Sequence, residues 1–291
     1  MTMQSQMAWP NGKRVAVVVS VLLETWAEGK SPTYFPRTTP LKAGTPDLPG
    51  RQWSQFGAEE GLWRITNILE RAGIRATVFS NALSAEMYPD LIRAIVKSGQ
   101  SVAAHGYAQN QYLLDMSDDE QQRTIRSCLD ILEHASGTRP DGWVTPVYGS
   151  NAVTHDLLVK EGVRWHADAL DSSAPRLQKT ASGSIIALPW SDFVDNRVLR
   201  SSPRDYLDAY VDTFEYLHSQ ERLGLLNVAI HGHFGGRPLM SAIFSKVLQH
   251  LSGFSDVWFA THSEVAEWFA AQGVERIPSD ARFSLQRAEK K

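Results

Sequence analysis

Arg14-Val-Ala-Val-Val-Val-Ser-Val-Leu-Leu-Glu24 is the stretch on which the fold turns. Its apolar residues are nearly unbroken and mostly β-branched. Such a run reads as a strand buried on both faces, because a half-buried strand would alternate with polar residues. Strands of this kind occur in parallel sheets covered by helices. The rest of the chain agrees. Residues 61–72 carry Leu62, Ile65, Ile68 and Leu69 at helical spacing and end at Gly73. Residues 75–80 read as a second strand, 88–98 as a helix closed by Gly99, and 101–105 as a third strand. Ser117 with Glu120 forms a capping box that starts a helix running to about residue 134. Further strands are predicted at 140–145, 164–167, 185–188, 225–231 and 257–260, and further helices at 151–161, 203–220, 238–251 and 263–271. Strand–helix alternation without an internal linker predicts an α/β chain with a parallel sheet, either doubly wound or a TIM-like (β/α) barrel. About seven strands favour the barrel, as one domain over 1–291 with a surface insertion at about 25–55.

Composition narrows the partners. The chain has 291 residues and a net charge of -3, with 43% hydrophobic and 21% charged residues. That balance lacks the basic surface a nucleic-acid partner requires. No apolar run has the length of a membrane span, and residues 13–23 lack the order of a secretory leader. The single cysteine, Cys128, sits in a helical pattern and reads as core. A cytoplasmic location is the resulting expectation. Residues 1–6 and 286–291 read as polar or charged ends.

In a barrel the site gathers at the C-terminal ends of the strands. Polar residues follow the apolar runs there. Glu24 and Trp26 follow the first strand, and His105, Tyr107 and Gln109 the third. Trp143 and Tyr148 flank the fourth, Asp168 and Asp171 follow the fifth, and His231 and His233 end 225–231. Each has a structural alternative: a rim carboxylate paired with a base, a hydrogen-bonded barrel histidine, a packed tryptophan. Convergence of several such ends favours a pocket. His166 reads as core or as support behind the site. His134, His155, His218 and His250 lie in helical patterns and take no role. His231-Gly-His-Phe-Gly-Gly-Arg-Pro238 is the most informative of these segments. It reads either as a tight turn whose glycines supply positive φ, or as an imidazole acid beside an arginine clamp.

Taken in order, these motifs resemble the polysaccharide deacetylase (NodB-like) superfamily over about residues 15–269, in the branch of cyclic imide hydrolases, metal-independent allantoinase and peptidoglycan deacetylases. The resemblance implies a deformed barrel and, at the first strand, an Asp-x-Asp base and metal ligand. Here Leu22 stands at the base and Glu24 at the ligand. It implies His-x-x-x-His as further ligands, and here the stretch is His105-Gly-Tyr-Ala-Gln109. Residues 139–149 match the third motif region, 166–175 the fourth, and 231–238 the fifth with Gly232 in place of proline.

A metal site on Glu24, His105 and Gln109 is therefore short of good ligands, since an amide oxygen binds zinc poorly. The expected activity is hydrolysis of a carbon–nitrogen bond, other than a peptide bond, in a small amide, imide or ureide. Glu24 would be the base, its pKa raised by its apolar flank, and His231 or His233 the acid. Trp26, Tyr107, Trp143, Asp168, Asp171 and Arg237 would hold substrate. The cofactor is none, or a weakly bound divalent metal such as zinc. Two alternatives remain: metal-dependent deacetylation of an N-acetylated sugar, and a non-catalytic binding barrel. The insertion, rich in proline and aromatics, reads as a cover over the mouth or as an oligomer contact, and the resemblance implies a homo-oligomer.

Overall fold

The computed structural model describes residues 7–37, 39, 41–42 and 44–283; the two chain ends read above as polar, 1–6 and 286–291, lie outside the described residues. Among those described, nine strands form one sheet: β1 (Val15–Leu23), β2 (Thr77–Ser80), β3 (Ser101–Ala104), β4 (Gly142–Trp143), β5 (Trp165–Ala169), β6 (Arg176–Thr180), β7 (Gly183–Pro189), β8 (Gly224–His231) and β9 (Val257–Ala260). Their order is β6-β7-β5-β4-β3-β2-β1-β8, with β9 also paired to β1. All pairs are parallel except the β6–β7 hairpin. This hairpin is absent from the sequence reading, because Arg176-Leu-Gln-Lys-Thr180 is a polar, half-exposed edge strand without clear alternation. Between β8 and the segment after β7 the described strand pairing is one parallel bridge, Val194 to Ala229, as suits a deformed barrel.

β1 is buried at every position, as its sequence requires. Val15, Val17, Val19, Val21 and Leu23 face outward into a core shared with the helices. Ala16, Val18 and Leu22 face inward, against Phe79, Ala103, Val144 and Trp165. The pleat's period of two therefore continues beyond the strand and turns Glu24 into the mouth. The helices α1 (Leu48–Phe56), α2 (Leu62–Ala72), α3 (Ala82–Met87), α4 (Pro89–Lys97), α5 (Asp118–Ser136), α6 (Ala152–Lys160), α7 (Arg204–Gln220), α8 (Gly232–Gly235), α9 (Pro238–Ser252) and α10 (His262–Ala271) complete the alternation. The capping box of α5 is present, and Gly137 closes it at φ 79°. Cys128 is buried in the outer core, and burial pushes its thiol pKa up.

The glycines of 231–238 serve a purpose other than the expected one. None of Gly232, Gly235 and Gly236 has positive φ. They allow backbone to meet backbone. A π-helical turn, Gly57–Gly61, joins α1 to α2 and lies directly on α8. A Cβ on Gly61 would stand 2.0 Å from the Gly232 carbonyl oxygen, and one on Gly236 would stand 2.3 Å from the Gly61 Cα. The insertion is thus packed against the turn that carries His233.

Gly61→Ala is expected to destabilise the protein by about 1–3 kcal/mol or more, as overpacking against backbone does. An unchanged midpoint in urea denaturation would show that the two turns separate freely.

Candidate active site

Glu24 leaves β1 pointing inward and is only 6% exposed. Three histidines from two strand ends surround its carboxylate. Oε1 lies 3.5 Å from His105 Nε2 and 3.6 Å from His231 Nε2, and Oε2 lies 3.8 Å from His233 Nδ1. β8 delivers two of them because His231 ends the strand and His233 sits in the one-turn helix α8.

Each ring is oriented by a different partner. His105 Nδ1 is 2.9 Å from the Val144 carbonyl, so this nitrogen carries a hydrogen and donates it. Its Nε2 faces Glu24. His231 Nδ1 is 2.5 Å from Asp195 Oδ1, and the His231 backbone N–H donates to Asp195 Oδ2 at 3.0 Å. His233 Nε2 is 2.9 Å from the Tyr34 hydroxyl, and Trp26 and Trp53 stand edge-on to the ring at 5.4 and 4.8 Å.

These surroundings set the charges. Burial raises a carboxyl pKa, but at Glu24 the charge of His231 and the two further histidines outweigh it and bring the group down to about 2. The upward shift expected from the apolar flank of β1 is therefore reversed. At His231 burial disfavours the proton, yet Asp195 and then Glu24 overcome it and raise the pKa to about 9. His233 goes the other way, to about 3, through burial, with His231 and Arg237 adding to it against Glu24. Near neutral pH the site holds an anionic Glu24, a protonated His231 and a neutral His233.

Glu24 borders two cavities. One, of about 330 Å³, opens over the barrel mouth beside His105, Gln109, Tyr148, Trp190, Arg197 and His231. The other, of about 310 Å³, lies under the insertion beside Trp26, Arg51, Gln55 and Tyr88. The wall of the first includes a strained turn, with Val147 at φ 49° and Tyr148 at φ 58°. For a β-branched residue this is a true outlier, and such strain gathers at functional sites.

Several of the expected substrate residues lie elsewhere. Trp143 is fully buried in the outer core, and its indole donates to the Thr145 hydroxyl at 3.1 Å. Tyr107 donates to Glu86 at 3.0 Å and lines neither cavity. Asp171 pairs with Arg176 at 3.1 Å beside a separate cleft. Arg237 lines neither cavity; it donates to the carbonyls of His233 and Trp53 at 3.0 and 3.3 Å and covers the Phe56 ring at 4.3 Å. Asp168 supports the mouth from behind, accepting from the Thr145 N–H at 2.8 Å and its hydroxyl at 2.6 Å. Two residues escaped the sequence reading. Asp195 follows β7 by a few residues, and the rule of polar groups after strands, had it been applied to 185–188, would have led to that loop. Tyr34 had no signal beyond the aromatic content of the insertion.

A divalent ion finds two sound ligands here, Glu24 and His105, whose Nε2 is buried without a hydrogen-bond partner among the described residues, as is Gln109 Oε1. The third family position, Gln109, offers only an amide oxygen, and among the described residues no other His, Cys, Asp or Glu joins Glu24 and His105 in a trio whose ligand atoms all lie within 4.8 Å of one another. Among the described residues the one trio of His, Cys, Asp or Glu whose ligand atoms lie within 4.8 Å of one another is His155–His166–Asp168. Its two imidazoles stack at 4.3 Å and 17°, so their in-plane lone pairs do not converge on one ion. Asp168 is moreover engaged with Thr145. Neither set fits a tightly held zinc.

Residues 54–166 match the family described as "Polysaccharide deacetylase". The peptidoglycan deacetylase of Helicobacter pylori is 22% identical over 251 residues, which cover 74% of this chain and 85% of that protein. The peptidoglycan deacetylase-like protein FGM2 of Gibberella zeae is 33% identical over 109 residues, 37% of this chain and 32% of that one. The solved structure of Puue allantoinase superposes with a TM-score of 0.81 at 23% identity, covering 90% of this chain and 92% of that one, a likeness of fold. Over residues 54–166 the chain is thus similar to the family its motif order resembles.

The folded pKa of His231 lies above its ordinary value of 6.5, so its contribution to stability is complete below 6.5 and is lost as pH rises through about 9. Asp195→Asn is expected to lower the His231 midpoint by about 1–3 pH units, the effect of removing an adjacent opposite charge. An NMR titration of the histidine ring protons reads this, and an unmoved midpoint would remove Asp195 from the account.

Proposed function

We propose that this chain hydrolyses a carbon–nitrogen bond, other than a peptide bond, in a small amide, imide or ureide, without a tightly held metal. The observation that carries the reading is the Asp195–His231 pair beside an ionised Glu24, with Glu24 and His231 both on the wall of a cavity of about 330 Å³. A cavity of that size has room for a small molecule. The names borne by the relatives, peptidoglycan deacetylase and allantoinase, favour the same class of bond.

The residues divide the work as follows. His105 Nε2 and Glu24 Oε1, 3.5 Å apart, are both acceptors, and a water donating one hydrogen to each would be held between them. That water attacks the carbonyl carbon. A carbon–oxygen bond forms and the carbonyl π pair moves onto oxygen. At a pKa of about 2 Glu24 is a poor proton acceptor, so it orients the water and the His105 imidazole takes the proton. His231 then gives its Nε2 proton to the leaving nitrogen as the carbon–nitrogen bond breaks, and Asp195 steadies the imidazolium. Trp26 keeps a part in this scheme as a wall of the cavity under the insertion, and Asp168 as the support behind Thr145, which lines the mouth cavity. A metal-assisted reaction is the second reading, and it rests on the unpartnered His105 Nε2 and Gln109 Oε1. Among the described residues no helix is long and apolar enough to cross a membrane.

His231→Ala is expected to lower kcat/KM by about 10²–10⁴-fold, the usual worth of a positioned acid, while exhaustive chelation leaves the wild-type rate unchanged. A panel of ureides, imides and small amides, with elemental analysis of the same protein, tests both. Near-stoichiometric zinc that Glu24→Ala and His105→Ala each remove would establish the metal-assisted reading instead. Inertness toward the whole panel would favour a binding barrel.

A further inference from the structure

We infer that Tyr34 is a positioning residue of the site: it ties Oε2 of Glu24 to His233, so that the insertion over the mouth sets the orientation of the carboxylate. The inference rests on the reading of Glu24 as the group that presents water, but its geometry is independent of the substrate.

Tyr34 belongs to the segment between β1 and α1, in which no helix or strand occurs among the described residues. Its hydroxyl nevertheless reaches the centre of the barrel mouth. It stands 3.3 Å from Glu24 Oε2 and 2.9 Å from His233 Nε2. The ring is wedged against Trp53, centroids 6.0 Å apart, and Trp26, 6.5 Å apart. A phenol has one hydrogen to give. Glu24 accepts only, and two oxygens 3.3 Å apart need a hydrogen between them. The phenol hydrogen therefore goes to Glu24, and the Tyr34 oxygen accepts from His233 Nε2–H. His233 is thereby held as its Nε2–H tautomer with Nδ1 unprotonated. Nδ1 is indeed the buried nitrogen without a partner among the described residues. Burial and the charge of Glu24 hold the phenol pKa well above its ordinary value, so the hydroxyl stays intact as a donor.

The result is a directed chain, His233 Nε2–H to Tyr34 oxygen, and Tyr34 O–H to Glu24 Oε2. It occupies one carboxylate oxygen and leaves Oε1 facing His105 and His231. The other end of the chain is equally fixed, because α8 is pressed onto the glycines at 57–61. Movement of the insertion would release Oε2 and free the carboxylate to turn.

The test is Tyr34→Phe, which keeps the ring, with uniformly ¹⁵N-labelled protein and long-range ¹H–¹⁵N spectra of the histidine rings. In the wild type His233 should show a protonated Nε2 and an unprotonated Nδ1. In Tyr34→Phe that pattern should shift toward tautomer exchange, while the Nδ1–H of His105 stays as in the wild type and reports an intact fold. With a hydrolysed substrate in hand, kcat should fall about 10–100-fold, as expected for loss of a hydrogen bond to a charged group, with KM little changed. An unaltered His233 pattern in Tyr34→Phe, or a wild-type His233 protonated at Nδ1, overturns the inference. Because the spectra need no substrate, they decide it even if the hydrolase reading fails.

Discussion

A carboxylate removed from water costs several kcal/mol unless other groups replace its hydration. Glu24 is such a carboxylate, placed by the pleat of β1 at the inner mouth of the barrel. Much of the site can be read as its compensation. His231 supplies a positive charge, His105 a ring turned toward Oε1, and Tyr34 a hydrogen for Oε2. His231 is positive at neutral pH because Asp195, itself without exposure, lies behind it. The chain of dependence runs from a loop after β7, through a histidine on β8, to a carboxylate on β1.

Two histidines only two residues apart come to opposite charge states in this frame. His231 is raised to about 9 and His233 lowered to about 3. Both are buried, and both stand within 3.8 Å of a Glu24 oxygen. The difference lies behind each ring: a carboxylate behind His231, a phenol and two indoles around His233. Pairs of titratable groups driven apart in this way divide acid and base work at one pH. The paired histidines noted in the sequence thus reach distinct charge states, and spacing alone does not distinguish them.

The barrel and the rim were legible because their signals are local. An unbroken β-branched run means a strand covered on both faces, and a polar residue directly after it means the rim. What the sequence hid depended on direction and distance. Trp143 sits at a strand end like Glu24, but β4 is two residues long and turns the indole into the outer core. Asp171 follows β5 closely, yet the bulge between His166 and Ala169 alters the register just before it. Glycines in 231–238 suggested positive φ, whereas their role is contact with a segment over 170 residues away in sequence, at Gly61. Tyr34 reaches Glu24 from an insertion without regular pattern, and only the tertiary packing against Trp53 and α8 puts it there. The direction of the Glu24 shift failed for the same reason: the apolar flank was visible in sequence, and the three histidines facing it were not.

The same charges bear on the question of a metal. In a zinc site the ion neutralises its carboxylate ligand and lets imidazoles coordinate as neutral groups. Here a protonated His231 already lies 3.6 Å from Glu24 Oε1. A divalent ion beside Glu24 would have to displace that proton against the pull of Asp195, and would gain from Gln109 only an amide oxygen. Each of these weakens the ion, and they act together because they share one carboxylate oxygen. A barrel with Leu22 and Gln109 at these two positions can therefore keep a charged, ordered centre by protonating a histidine. Under the proposed function, the cation facing Glu24 would act as a proton donor to the departing nitrogen.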